Sequence, residues 1–258
     1  VLIIFAVFAP WIAPLDPDRQ NLLARLKPPG FETRGIIYLL GADELGRDIL
    51  SRVIYGARVS LSVAFLSVVL SGVVGVTVGM TAAYLRGWSE TLLMRLVDIF
   101  LSIPAILLAI ITVAVLGPGF INVILVLALT RWPRYARVAY GQTLVVASQP
   151  FVTLAHAMGA SATRVLALHI LPNIIGPLLV VATLEFGLMV LFEAGLSFLG
   201  LGVQPPTSSW GSMLSSGRNY VGSAWWTTTF PGIALFMLVL SANLIGDRLG
   251  DRIGKGAR

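Results

Sequence analysis

The chain has 258 residues, 57% of them hydrophobic and 12% charged, with a mean hydropathy of +0.88. An ordinary soluble domain carries about a quarter charged residues, so a water-soluble core is excluded and the bilayer is the solvent that decides this fold. The net charge of +6 belongs to basic residues flanking apolar segments, a pattern that sets membrane orientation rather than binding nucleic acid, and the absence of cysteine removes disulfide frameworks, thiolate metal sites and cysteine nucleophiles.

Residues 1–14 are apolar and uncharged but fewer than the ~20 needed to span. They are expected to belong to a spanning helix whose cytoplasmic half lies outside the sequence. The alternative, the apolar core of a secretory signal, lacks a basic start and a small-residue cleavage site. Residues 15–58 form a long polar region with six acids (Asp16, Asp18, Glu32, Asp43, Glu44, Asp48) and seven bases. Pro14, Pro17, Pro28, Pro29 and Gly30 make its first half irregular. Its second half, Gly41 to Arg58, predicts a capped amphipathic helix at the interface, with Leu45, Ile49, Arg52/Val53 and Gly56 near helical spacing.

A second span is expected at 59–85, which has no Asp, Glu, Lys or Arg and carries Ser67, Ser71, Gly72, Gly75 and Gly79. Small residues of that kind let backbones approach in lipid. After a turn at 86–90 comes a third span, 91–116, closed by Gly117-Pro118-Gly119. The fourth, 120–140, carries Arg131, Arg134 and Arg137 at a spacing that shares one helix face, beside Trp132, Tyr135 and Tyr140. That grouping reads as an interfacial anchor against the lipid bilayer. The fifth span is expected at 173–199 and the sixth at 229–246. Between them, 200–228 is rich in Gly, Pro, Ser and Trp with the single charge Arg218. Irregular backbone at membrane depth must be buried in protein or face water, so a partly re-entrant segment is expected there.

Six spans put both termini on one side. The connectors at 86–90 and 131–172 and the C-terminal tail then share that side and carry Arg86, Arg131, Arg134, Arg137, Arg164, Arg248, Arg252, Lys255 and Arg258. Positive charge concentrated in short connectors marks the cytoplasm. The reading is therefore an all-α integral membrane domain spanning 1–258, with cytoplasmic termini, a cytoplasmic loop at 148–172, and extracytoplasmic segments at 15–58 and 200–228.

The cytoplasmic loop is the conspicuous stretch. Residues 153–173 contain two histidines, an arginine, a glycine and a proline between long apolar segments. The pattern predicts a short helix, a break at Gly159 where a turn needs glycine's conformational freedom, and a second short helix running into Leu171-Pro172. Proline suits the first turn of the helix that follows. His156 and His169 lie thirteen positions apart with no cysteine and no nearby carboxylate. A metal site needs more ligands, so the histidines are read as making helix contacts, and no metal is expected.

This stretch resembles the loop motif of ABC-importer permease subunits: Glu-Ala-Ala, three residues, Gly, nine residues, Ile, any residue, Leu-Pro. Here the positions are held by Thr153, Leu154 and Ala155, then Gly159, then His169, Leu171 and Pro172. The spacing from Gly159 to Leu171-Pro172 is intact, while Thr153, Leu154 and His169 depart from the motif. Gly159-Ala160-Ser161, Arg164 and His169-Ile-Leu-Pro-Asn173 are similar to the dipeptide/oligopeptide/nickel branch. So are Gly41 to Asp48, Ile54 to Arg58, Glu193 to Pro206, Ser209-Trp-Gly211 and Asn243 to Asp247. Together they resemble the C-type permease of that branch.

The resemblance implies a type I ABC-importer permease of six helices. Its partners would be a homologous second permease, two cytoplasmic ATPase subunits holding ATP and Mg, and an extracytoplasmic solute-binding protein. The loop would be the coupling helix seated in an ATPase groove, through Ala155, His156, Ala157, Gly159, Ala160, Ser161, Arg164, His169, Leu171 and Pro172. The chain itself would bind no cofactor and hydrolyse nothing, since it has no Gly-rich phosphate loop ending in Gly-Lys-Ser/Thr. The expected substrate is a short peptide, with a nickel chelate or another small solute as the alternative. A secondary transporter would show inverted repeats and spans broken at mid-membrane, and no internal repeat is evident; a membrane scaffold is the remaining class.

Three acids fall inside expected spans: Asp98, Glu185 and Glu193. Each costs about 2.5–3.5 kcal/mol near a helix centre, so each must face protein or water. Asp98 is expected to pair with Arg95 one turn away. Glu193 is expected to make structural hydrogen bonds near the outer end of the fifth span. Glu185, near mid-bilayer, is expected to line the path and meet the amino group of a peptide, or else to find a partner on the sister permease. Both glutamates are candidates for the translocation path.

Overall fold

A computed structural model describes the backbone of residues 2–256 and the side chains of residues 3–252. Val1 at the head of the first expected span and Arg258 in the basic tail lie outside the described residues, as does the side chain of Lys255. The chain is mostly helical: α1 (Leu2–Val7), α2 (Ala9–Ile12), α3 (Ile49–Leu85), α4 (Gly87–Ser102), α5 (Ala105–Leu116), α6 (Phe120–Ala147), α7 (Pro150–Ala157), α8 (Ala162–Arg164), α9 (Leu171–Phe198), α10 (Trp210–Gly217) and α11 (Trp226–Gly256). A hairpin of β1 (Phe31–Thr33) and β2 (Ile36–Tyr38) precedes α3. The residues fall into two compact units, one of Val1–Leu66, Ile110–Val126 and Gly187–Ser241, the other of Ser67–Ala109, Leu127–Phe186 and Ala242–Arg258. Helices α3, α5, α6, α9 and α11 contribute residues to both.

In the first unit the polar region is structured rather than irregular. Phe31 pairs with Tyr38 and Thr33 with Ile36 across a two-residue turn, Arg34-Gly35, whose φ values of 51° and 74° are those such tight hairpins need. Residues 41–48 do not form the first turns of the expected interfacial helix. Gly46 turns back at φ +72°, and a Cβ there would run into the Asn21 carbonyl. Asp43 accepts from the backbone of Leu45 and Arg47 and from the Arg47 guanidinium at 2.7 Å. Asp48 then caps α3: its carboxylate accepts from Ser51 N at 2.8 Å and Ser51 Oγ at 2.6 Å, meeting donors that a helix start leaves unpaired.

From Ile49 the helix runs 37 residues to Leu85 with no break where an interfacial helix was expected to give way to a span. No proline interrupts it, and Gly56 packs beneath Trp210, whose indole donates to the Val53 carbonyl at 2.9 Å. The segment 200–228 likewise holds a helix, α10, opened by a reciprocal Ser209–Ser212 capping box, with Trp210 fully buried. Trp226 donates to the Ala42 carbonyl at 3.1 Å, tying the start of α11 to the polar region.

The expected third span is two helices, α4 and α5, bent by 91°. Pro104 is the cause. The residue before a proline is pushed out of the helical region, and Ile103 sits at φ −89°, ψ 127°. In the second unit α6 does not stop at the arginines; it continues to Ala147 with Pro133 inside. It lies close against α3. A Cβ on Gly75 would come within 2.6 Å of Tyr135 Cβ, and one on Gly79 within 2.9 Å of Ala139 Cβ. This is the close approach that small residues permit.

Among the described residues, three helices, Ile49–Leu85, Ala162–Phe198 and Trp226–Arg252, are long and apolar enough to cross a membrane, and the bent pair α4–α5 would make a fourth.

Candidate functional sites: a broken helix and two buried carboxylates

Both sites lie on or beside α9. The first is the break that precedes it. Pro150 opens α7 at the position where a missing N–H is harmless. The helix closes in a Schellman motif: Ala160 N donates to Ala155 O at 3.0 Å and Gly159 N to His156 O at 2.9 Å, with Gly159 at φ +81°. Ser161 is extended, α8 makes one turn, and residues Val165–Ile170 form a wider π turn in which Leu171 N–H reaches Leu166 O. The backbone then flows into α9. The second short helix is therefore not separate. It is the head of a continuous helix from Ala162 to Phe198, and Pro172 sits inside that helix rather than at its start. The π turn is the physical reason this works, because it opens the ladder just before a residue that has no N–H to offer.

Val152, Ala155, Val165 and Ile170 are buried in one cluster with Met80 of α3, Ala139 of α6, and Ile174 and Leu178 of α9. This holds the short helices against the long ones. The opposite side is open. His156, Ala157, Gly159, Ser161, Arg164 and Pro172 are exposed, Ala160, His169 and Leu171 are half-buried, and only Ala155 of the expected contact residues is turned inward. Three large apolar side chains stand out beside them, Leu154 at 62%, Met158 at 86% and Leu168 at 62% exposure. Leu154 counted as a departure from the motif, and Met158 carried no sequence signal. Tyr84, at the end of α3, was also missed; its ring stacks on His156 at 5.7 Å and its hydroxyl lies 3.1 Å from His156 Nε2.

The second site is built from the acids inside long helices. Glu185 is 3% exposed and lies 3.1 Å from Arg134 Nη1 and 3.6 Å from Arg131 Nη1. The carboxylate faces two guanidiniums of its own chain, where an open position for an amino group was expected. Of the group read as an interfacial anchor, Arg131, Trp132 and Tyr135 are buried in the middle of α6, the tyrosine against the glycine face of α3, while Arg134 and Arg137 are exposed. The buried carboxylate and buried Arg131 compensate one another, so both can sit within an apolar helix pair.

Glu193, two turns further along α9, is fully buried and accepts from Ser60 Oγ at 2.9 Å and Ser197 Oγ at 2.7 Å. Asp98 bonds to Arg137 on α6 and not to Arg95 on its own helix. A neighbouring pair, Tyr140 to Glu90, makes a second α4–α6 link. No group of three or more His, Cys, Asp or Glu side chains close enough to share a metal ion occurs among the described residues.

With this geometry the chain can be placed. It belongs to the family described as binding-protein-dependent transport system inner membrane component, which matches residues 75–258, and residues 1–29 match the N-terminal TM domain of oligopeptide transport permease C. It is similar to the Di/tripeptide transport system permease protein DppC of Pseudomonas aeruginosa (strain UCBPP-PA14), 44% identical over 255 residues, 98% of this chain and 84% of that protein. It is similar to the Dipeptide transport system permease protein DppC of Escherichia coli (strain K12), 44% identical over 254 residues, 98% of this chain and 85% of that one. Among solved structures, an inward-facing MetNI methionine ABC transporter matches with a TM-score of 0.62 and 23% identity, covering 77% of this chain and 94% of the matched chain. An amino acid ABC transporter matches at 0.56 and 16%, covering 78% and 94%. The chain is thus a mostly helical, multi-pass component of an inner-membrane transport system, with the fold of ABC-importer permeases.

Proposed function

We propose that the chain is a non-catalytic permease subunit of an ATP-driven importer, forming half of the path for short peptides. The observation that carries the coupling role is the exposed, rigidly mounted element α7–Gly159–α8. One face is buried against α3, α6 and α9 while the other presents Leu154, Met158, Leu168 and Arg164 to a partner. In this reading the element, through Ala155, His156, Ala157, Gly159, Ala160, Ser161, Arg164, His169, Leu171 and Pro172, is the coupling helix in the groove of one of two ATPase subunits. ATP and Mg bind those subunits. A homologous second permease completes the path and a solute-binding protein delivers substrate. The dipeptide and di/tripeptide relatives favour a peptide over a nickel chelate.

The bundle has six spans, α1–α2, α3, α4–α5, α6, α9 and α11. Arg86, Arg164, Arg248 and Arg252 lie on the cytoplasmic side with both termini. Glu185 and Glu193 serve the path by holding its helices in register.

Replacing Gly159 tests the assignment. A bulky residue at φ +81° strains the turn and places a side chain where the chain itself leaves open space. The purified complex of Gly159→Trp is expected to hydrolyse ATP without uptake, or to lose its ATPase on co-purification. Uptake per ATP equal to wild type at normal assembly would sink the coupling role.

A further inference from the structure

Arg131 and Arg134 face a single carboxylate, so the cluster they form with Glu185 carries one positive charge in excess. The two arginines are not equivalent. Arg131 is buried, with its side chain 4% exposed; Arg134 is 54% exposed, and only its Nη1 is bonded within the described chain. Glu185 thus fixes Arg134 by one nitrogen and leaves the Nε–Nη2 edge of the guanidinium open. That edge presents two parallel N–H donors, the geometry that a carboxylate accepts in bidentate fashion. Other acids near this part of α6 are already engaged: Asp98 bonds Arg137, and Glu90 accepts from Tyr140. A charged group inside an apolar helix is expensive unless it is used.

We infer that Arg134 binds the free α-carboxylate of a peptide in transit, with Glu185 as the positioning residue that holds the guanidinium and buried Arg131 on the far side of the same carboxylate. The inference rests on the peptide-importer reading above. It also reverses the polarity expected from sequence, since the path meets the acidic end of the substrate, not its amino end. A short peptide has one such carboxylate whatever its side chains, so a single fixed cation recognises the class without reading the sequence. The charges of Arg131, Arg134 and Glu185 then sum to zero with the seated carboxylate.

The test uses the complete importer, with both permeases, ATPases and solute-binding protein, in liposomes. A dipeptide and its C-terminal amide are each supplied, and the same binding protein is used throughout, so its own preference cancels between variants. Wild type is expected to move the free acid faster than the amide. Arg134→Gln is expected to lower free-acid uptake about tenfold or more, the loss typical of one charge-assisted contact, while amide uptake changes little, so that the acid-to-amide ratio collapses. Arg134→Lys keeps the charge but loses the two parallel donors, and is expected to recover only part of the ratio. Equal loss of both substrates would overturn the inference and point to a structural role or an acidic partner on the second permease. Unchanged uptake of both would overturn it as well. If wild type moves neither peptide while its ATPase responds to the binding protein, the peptide reading falls first and this inference with it.

Discussion

Glu185 and Glu193 stand eight positions apart on one helix, about 12 Å along its axis at 1.5 Å per residue, and have been given opposite environments. Glu185 lies in the second unit, balanced by two guanidiniums, one of them half open to its surroundings. Glu193 lies in the first unit, fully buried, and accepts from the hydroxyls of Ser60 and Ser197. A carboxylate ringed by arginines can hand a charge on to a ligand. One ringed by serines can only join helices. On the inference drawn above, the comparison separates a group that positions a ligand contact from one that joins helices, although both are buried acids in an apolar chain.

The contrast can be broken most forcefully at Glu185. Glu185→Ala leaves buried Arg131 facing a second cation with no anion between them, a loss expected to reach about 3–5 kcal/mol. Folded complex recovered in detergent should drop sharply. If it matches wild type in yield and melting temperature, the ion pairs are not what holds α6 to α9. Next in size is Glu193→Leu, which strands two buried hydroxyls and is expected to destabilise by about 1–3 kcal/mol. Glu193→Gln keeps an acceptor for them and should fall within about 1 kcal/mol of wild type. Thermal melting of the two variants sharpens the contrast, because an ionic role for Glu193 would make the glutamine variant as poor as the leucine one.

A third acid gives the smallest effect. Asp48, in the polar region, is buried, and its Oδ1 has no hydrogen-bond partner among the described residues. Burial pushes its pKa above the ordinary 3.8, against the lowering pull of the Ser51 hydrogen bonds. The folded chain therefore holds this proton more firmly than the unfolded one. Its contribution favours folding at low pH and is lost as pH rises from the unfolded value through the folded one. Asp48→Asn keeps an acceptor for Ser51 and cannot ionise. The melting temperature of wild type relative to this variant should fall as pH rises above the ordinary carboxylate value of 3.8. A difference that stays flat or rises would show that Asp48 is not desolvated.

What could be read in the sequence was what neighbours along the chain decide. The break at Gly159 follows from local composition, and so does the close packing of α3 through Gly75 and Gly79. What escaped was decided by residues far away. Arg131, Trp132, Arg134 and Tyr135 have the composition of an interfacial anchor, and the carboxylate that engages both arginines, Glu185, lies 51 positions beyond Arg134. Asp98 had a plausible partner one turn away in Arg95, but the tertiary partner on α6 prevailed. The start of α3 was misplaced for a different reason. Gly41 to Asp48 has helical spacing of apolar residues, yet Asp43 and Asp48 spend their carboxylates on nearby backbone N–H groups, which competes with helix. Pro104 was visible, but a proline inside a long apolar run can be absorbed, as Pro133 and Pro177 are in α6 and α9. Only Ile103 in its extended conformation separates the two outcomes.

The wide turn at Val165–Ile170 has a consequence for the phase of α9. A π turn is an α-helix carrying one surplus residue. Deleting that residue would let the ladder close, but everything after it would rotate by about 100°, the angle of one helical step. Ile174 and Leu178 would then leave Met80 and Ala139 and turn toward the surroundings. Pro172 guards against such closure, because an α turn drives its ring onto the carbonyl four residues back. The proline acts as a wedge that keeps the extra residue in, and with it the angular setting by which Glu185 meets its arginines.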